Sequence, residues 1–179
     1  MPTVLMVPGF TGASPGHWQS LWIKERPEYR RVEQRDWDAP EAHEWVDVLD
    51  RAVIAAPAPV VLVGHSLGCI TIVRWAAERA TFRAGAALLV AACDVEADTA
   101  PSEVRGFAPI PLGRLPFPSV LVTSSTDPLA TETRSAEFAR GWGSRIVAIG
   151  DAGHIHTAAG FGPWPEGHRL LHDLLATCA

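Results

Sequence analysis

Basic runs are missing from this 179-residue chain, and so are long apolar ones. The densest cationic patch, Arg30-Arg31 with Arg35, is interleaved with Glu33 and Asp36. With a net charge of −5, that argues against a nucleic-acid-binding surface. No apolar run approaches the length that spans a bilayer. Cysteine is scarce and odd in number. Cys69, Cys93 and Cys178 make no close pair, which leaves neither a disulfide framework nor a metal-site spacing, and no cofactor is expected. The start, Met1-Pro2-Thr3-Val4, lacks a signal-peptide layout, so the expected location is cytoplasmic. No internal repeat or linker-like stretch divides the chain, and one domain over residues 1–179 is expected. What is present in quantity is apolar: hydrophobic residues make up 47% of the chain, enough for a sizeable buried core.

The apolar residues fall into short continuous runs separated by stretches of helical spacing. Thr3–Val7, Val60–Val63, Gly85–Ala91, Ser119–Thr123 and Arg145–Ile149 read as strands, the first three buried on both faces. Tyr29–Glu33 is shorter and more polar, as befits a strand near a sheet edge. Helices are expected from His17 to near Pro27, around Trp45, Val48, Leu49, Ala52 and Ala56, after Ser66, over Ala130–Arg140, and over about Glu166–Thr177. Trp18 and Trp22, four apart, share a helix face and read as core. Six alternations of strand and helix predict a doubly wound, mostly parallel six-stranded α/β sheet with helices on both faces. The proline-rich segment from Cys93 to Pro118 fits no element and is a candidate partial lid.

Gly64-His65-Ser66-Leu67-Gly68 follows the Val60–Val63 run directly. A buried strand running into G-x-S-x-G and then a helix is the pattern of a nucleophile elbow, in which a strained turn holds the serine oxygen clear of the sheet. Gly64 and Gly68 flank the turn because a Cβ there would meet neighbouring backbone. The Leu67 N–H, at the helix N-terminus, is placed to bind a developing oxyanion. The Gly-rich loop after the first strand offers a second donor, Phe10 first and Thr11 next, with an ordinary turn as the alternative.

A serine nucleophile needs a base and the base an orienting carboxylate, in the chain order Ser, Asp or Glu, His. Asp127 follows the Ser119–Thr123 strand and His154 the Arg145–Ile149 strand, so three strand ends would bring Ser66, His154 and Asp127 together. Asp94, Asp98 and Asp151 are rival acids and His156 a rival base; His43, His168 and His172 read as surface positions, and His65 as a shaper of the elbow. The residues expected to face a substrate are Thr11, His17, Trp37 and Trp164. Trp164 reads equally as packing for the last helix, and Asp38 rather as a helix cap.

These pieces resemble the small α/β-hydrolase-fold serine hydrolases called YdeN-like, or retinoblastoma-binding-protein-9-like. The resemblance rests on Val7-Pro8-Gly9 with Gly16-His17-Trp18, on Asp36-Trp37-Asp38-Ala39-Pro40 with Trp45, and on the elbow. It rests further on Pro116–Ser119 leading to Ser124–Pro128, and on Ala152-Gly153-His154-Ile155 with Gly160–Gly167. It implies a compact α/β-hydrolase fold with Ser66, Asp127 and His154 on the family's triad positions. It also implies esterase-like or amidase-like cleavage of small substrates. Two positions depart from the family: His156 stands where Asn is common, and Leu129 where an aromatic follows the Asp-Pro pair. The L-x-C-x-E retinoblastoma-binding motif is absent, so no such partner is carried over.

The leading expectation is a serine hydrolase of small carboxyl esters, active as a monomer or small homo-oligomer. A small-peptide amidase or aminopeptidase is the near alternative; it would need an anion for the substrate amine, with Asp36, Asp38 or Glu166 as candidates. A binding protein on the same fold is the alternative of another class.

Overall fold

Strand propensity and burial explain the centre of the molecule. The computed structural model, which describes residues 2–79 and 83–178, places β1 (Thr3–Val7), β3 (Val60–His65) and β4 (Ala84–Val90) side by side, with β5 (Ser119–Thr123) next. Outside them lie β2 (Arg30–Arg31) and β6 (Arg145–Ala148), giving the order β2-β1-β3-β4-β5-β6 with every pair parallel. Leu5 pairs with Leu62 and Leu62 with Ala87. With both faces covered, these strands are apolar along most of their length.

The two-residue period of the strands sorts side chains between two cores. Leu5, Val7, Leu62, Leu89 and Leu121 face α2 (Ala42–Ala55), α3 (Leu67–Arg79) and α4 (Glu132–Trp142). Val4, Met6, Val61, Val63, Leu88 and Val90 face α1 (Trp18–Glu25) and α5 (Pro165–Thr177). Trp18 and Trp22 pack here as expected, their rings 4.6 Å apart.

The edges depart from the sequence expectation. β2 is confined to Arg30–Arg31, because the Tyr29 N–H is spent on a turn to the Arg26 carbonyl. β4 begins one residue early, at Ala84, and stops at Val90, where Ala91 turns left-handed at φ 49°. β6 ends at Ala148 and is largely exposed. The Cys93–Pro118 segment holds one 3-10 turn, Ser102–Phe107, and lies against α3 and α4 rather than standing free.

Candidate active site

Ser66 sits between β3 and α3 at φ 54°, a left-handed conformation that an L-residue adopts only when its surroundings enforce it. The surroundings are the two glycines of the elbow. A Cβ on Gly68 would lie 2.0 Å from the Val7 carbonyl oxygen, and one on Gly64 2.8 Å from Ile72 Cδ1. The Ser66 N–H donates to the Val90 carbonyl at 3.0 Å, tying the turn to the neighbouring strand end.

The loops after β5 and β6 carry the partners. His154 Nε2 lies 2.8 Å from Ser66 Oγ, and His154 Nδ1 lies 2.8 and 3.0 Å from the two oxygens of Asp127. A carboxylate only accepts, so Nδ1–H donates to Asp127 and Nε2 is left to accept the serine proton. The side chains of His154 and Asp127 are only 8% and 4% exposed, which keeps water from competing for the pair. Asp127 Oδ1 also accepts the Leu129 N–H at 2.9 Å, fixing the carboxylate. The two loops are laced together: the Ala152 N–H donates to Ser124 Oγ, the Gly153 N–H to Thr126 Oγ1, and Thr126 Oγ1 to Asp151. Among the rival acids, Asp151 is thus engaged by Thr126 and Asp94 by Arg134, while Asp98 is exposed.

Histidines surround the base. The ring of His65 lies 4.9 Å from that of His154 and 4.7 Å from that of His17; the ring of His156 lies 5.6 Å from that of His154. His65 Nε2–H donates to the His154 carbonyl at 2.9 Å and so holds the backbone of the loop. Burial pushes the His17 pKa down to about 4, helped by His156, His154 and Arg31. Burial likewise pushes His65 well below its ordinary value, and both rings are neutral. His17 is buried under the elbow, its Nδ1 accepting the Gln19 N–H as the cap of α1.

Phe10 and Leu67 border the same pocket as Ser66. Among the described residues neither the Leu67 nor the Phe10 N–H is hydrogen-bonded within the protein, whereas the Thr11 N–H donates to the Trp37 carbonyl at 2.9 Å. A pocket of about 40 Å³ opens beside Ser66. Phe10, Leu67 and Leu129 line it together with Cys93, Asp94, Thr99, Ala100, Pro101 and Val104 from the segment after β4. Burial pushes the Cys93 thiol up to about 12, against a hydrogen bond to Ser66 that works the other way, so it stays neutral.

Phe10 and Leu67, expected as oxyanion donors, line this pocket, whereas Thr11, His17, Trp37 and Trp164, expected to face a substrate, do not. Trp164 is buried, its ring 5.3 Å from Trp18 and stacked on Trp22 at 5.9 Å; it packs in the core of α1 and α5 rather than walling the pocket. Trp37 rests on Trp45 under the Arg31 guanidinium. Asp36 caps its own loop through the Asp38 and Ala39 N–H groups. His168, expected at the surface, is half-buried against Trp22 and Tyr29. The wall residues Thr99–Pro101 and Val104 were not legible, since no periodicity marks them. Among the described residues, no group of three or more His, Cys, Asp or Glu side chains is placed to share a metal ion.

A parallel sheet with a strained serine elbow after its third strand, and a histidine and an aspartate on later strand ends, defines an α/β-hydrolase. The chain belongs to the serine hydrolase family, whose model matches residues 4–173. It is similar to a YdeN-like hydrolase from Pectobacterium atrosepticum, at 29% identity over 100% of this chain and 94% of that one, with a TM-score of 0.88. The ydeN gene product of B. subtilis is 19% identical over 98% of this chain and all 100% of its own, with a TM-score of 0.78. Est1E from Butyrivibrio proteoclasticus, solved with ferulic acid bound, shares the fold at 12% identity and a TM-score of 0.70, covering 98% and 90% of the two chains. No curated protein sequence matches.

Proposed function

We propose that this hydrolase cleaves small carboxyl esters through an acyl-enzyme on Ser66, with His154 as general base and Asp127 as its orienting acid. The observation that carries the reading is the unbroken relay from Ser66 Oγ through His154 to Asp127, at 2.8 Å for each link. His154 Nε2 takes the serine proton as Oγ bonds to the acyl carbon. The carbonyl electron pair moves to oxygen, where the N–H groups of Leu67 and Phe10 receive it. The tetrahedral species then expels the alcohol oxygen, to which His154 returns the proton. Water repeats the sequence on the acyl-enzyme, giving the carboxylic acid and free Ser66.

Ester rather than amine-bearing peptide is favoured because, among the described residues, no free anion lines the pocket. Asp36, Asp38 and Glu166 do not line it, and Asp94, which does, is paired with Arg134 at 3.2 Å. Fluorophosphonate labelling, with mass spectrometry of the adduct, tests the proposal. Labelling at Ser66, lost in Ser66→Ala and in His154→Ala, is expected. A folded wild type that does not react would move the assignment to a binding protein on the hydrolase fold. Faster turnover of aminoacyl arylamides than of acyl esters would move it to the peptidase reading.

A further inference from the structure

The wall facing Ser66 across the pocket is irregular chain, yet it is held at many points. Arg74 Nη1 donates to the Phe107 and Pro109 carbonyls at 3.1 Å each, and Arg105 to the Asp98 and Ala100 carbonyls at 2.7 and 3.2 Å. The Ile110 N–H donates to Glu96 at 3.0 Å, and Trp142 Nε1–H to the Pro111 carbonyl at 2.7 Å. Val104, one of the lining residues, is 4% exposed and packs in the same core as Phe107 and Trp45. A segment bonded to the body through its own carbonyls is a fixed wall rather than a lid.

The space beside Ser66 is small and largely apolar. Among the described residues its one charged lining group, Asp94, is paired with Arg134 and accepts the Glu96 N–H at 3.1 Å, so none of them calls for a charged acyl group. About 40 Å³ is room for roughly three water-sized groups, at about 10–15 Å³ for each.

Resting on the ester-hydrolase reading above, we propose that the pocket is an acyl-length filter. Val104 and Leu129 set its depth, and it admits uncharged acyl groups of about two to four carbons while refusing longer ones.

The test is kcat/KM for p-nitrophenyl acetate, butyrate, hexanoate and octanoate, with Ser66→Ala as the blank. Expected is a fall of about tenfold or more between butyrate and hexanoate in the wild type, the scale at which a pocket refuses extra methylenes. Val104→Ala and Leu129→Ala should each raise the hexanoate-to-acetate ratio by about fivefold or more. Octanoate cleaved as well as acetate overturns the filter, as does an unchanged ratio in variants that keep their circular dichroism. Should Val104→Ala fail to fold, the half-buried Leu129→Ala decides alone. If Ser66 is labelled and acetate cleaved with a flat chain-length profile, the filter falls and the hydrolase reading stands. A protein labelled at Ser66 that cleaves neither acetate nor butyrate also overturns the filter. If neither labelling nor cleavage occurs, the hydrolase reading falls first.

Discussion

Asp127 makes three short contacts with one carboxylate, two to His154 and one from the Leu129 N–H. A neutral amide fits the same space, but its NH₂ would face Nδ1 and reward the wrong imidazole tautomer. Asp127→Asn is therefore expected to keep the fold while lowering kcat by about 10⁴, read from ester turnover beside an unchanged melting curve. His17 gives a second prediction at this scale. Its neutral Nδ1 caps α1, and burial holds its pKa at about 4 against 6.5 for a free imidazole. The unfolded chain takes a proton that the folded chain refuses. The stability from this group is therefore complete above pH 6.5 and is lost as pH falls from 6.5 toward about 4. His17→Asn keeps a cap acceptor without a titrating proton. It should make the fall in Tm across that window shallower, though His65, also buried neutral, leaves part of the slope. An unchanged slope would show that His17 does not drive the acid limb.

Among elements, the charged part of the join between α4 and the segment after β4 centres on Arg134, beside the Trp142 bond to Pro111. Arg134 meets Asp94 at 3.2 Å, Glu137 at 2.8 Å and Glu96, and its guanidinium lies 4.7 Å over the Phe138 ring. Its side chain is 18% exposed and that of Asp94 16%, so removal strands a carboxylate at the pocket wall. Arg134→Met should destabilise the protein by about 2–3 kcal/mol and speed proteolysis within residues 93–118, checked by urea denaturation and timed digestion. Equal digestion patterns would argue that the wall holds without it. This segment is also where the sequence was least informative. β1, β3 and β4 were legible because a strand buried on both faces must be apolar throughout, and the elbow because two close backbone approaches demand glycine. The path after Cys93 was not, because distant side chains, Arg74 and Arg134 among them, take up its backbone and side-chain groups, and no local pattern encodes such partners. Trp164 was undecidable for a related reason. Its left-handed backbone at φ 44° turns the ring into the Trp18–Trp22 cluster, and a Cβ on Gly167 would lie 2.3 Å from that ring.

For the whole molecule, the strand order puts function where the winding reverses. The chain leaves β1 toward β2 on one side and returns to β3 on the other, so the loops after β1 and β3 diverge and leave a crevice at the carboxyl ends. Phe10 and Ser66 are the residues at its two lips. The nucleophile therefore rests on the best-protected part of the sheet: β3 is paired on both sides and its Val60–Val63 side chains are fully buried. The base does not. His154 follows β6, an edge strand in which Ile146 is 46% exposed. Its loop is held from the other face, by Trp18 Nε1–H to the Ile155 carbonyl at 3.0 Å and by His65 to the His154 carbonyl. Opening should therefore be graded across the sheet. Native-state hydrogen exchange is expected to show β3 and β4 amides exchanging only by global unfolding. The amides of β6 and of residues 150–156 should exchange through a cheaper partial opening. In urea, ester hydrolysis should then fail before the far-UV circular dichroism does, because His154 leaves Ser66 while the elbow is still folded. Coincident loss of activity and secondary structure, with uniform exchange across the six strands, would mean that the contacts from Trp18 and His65 bind the base loop into the same cooperative unit as the nucleophile.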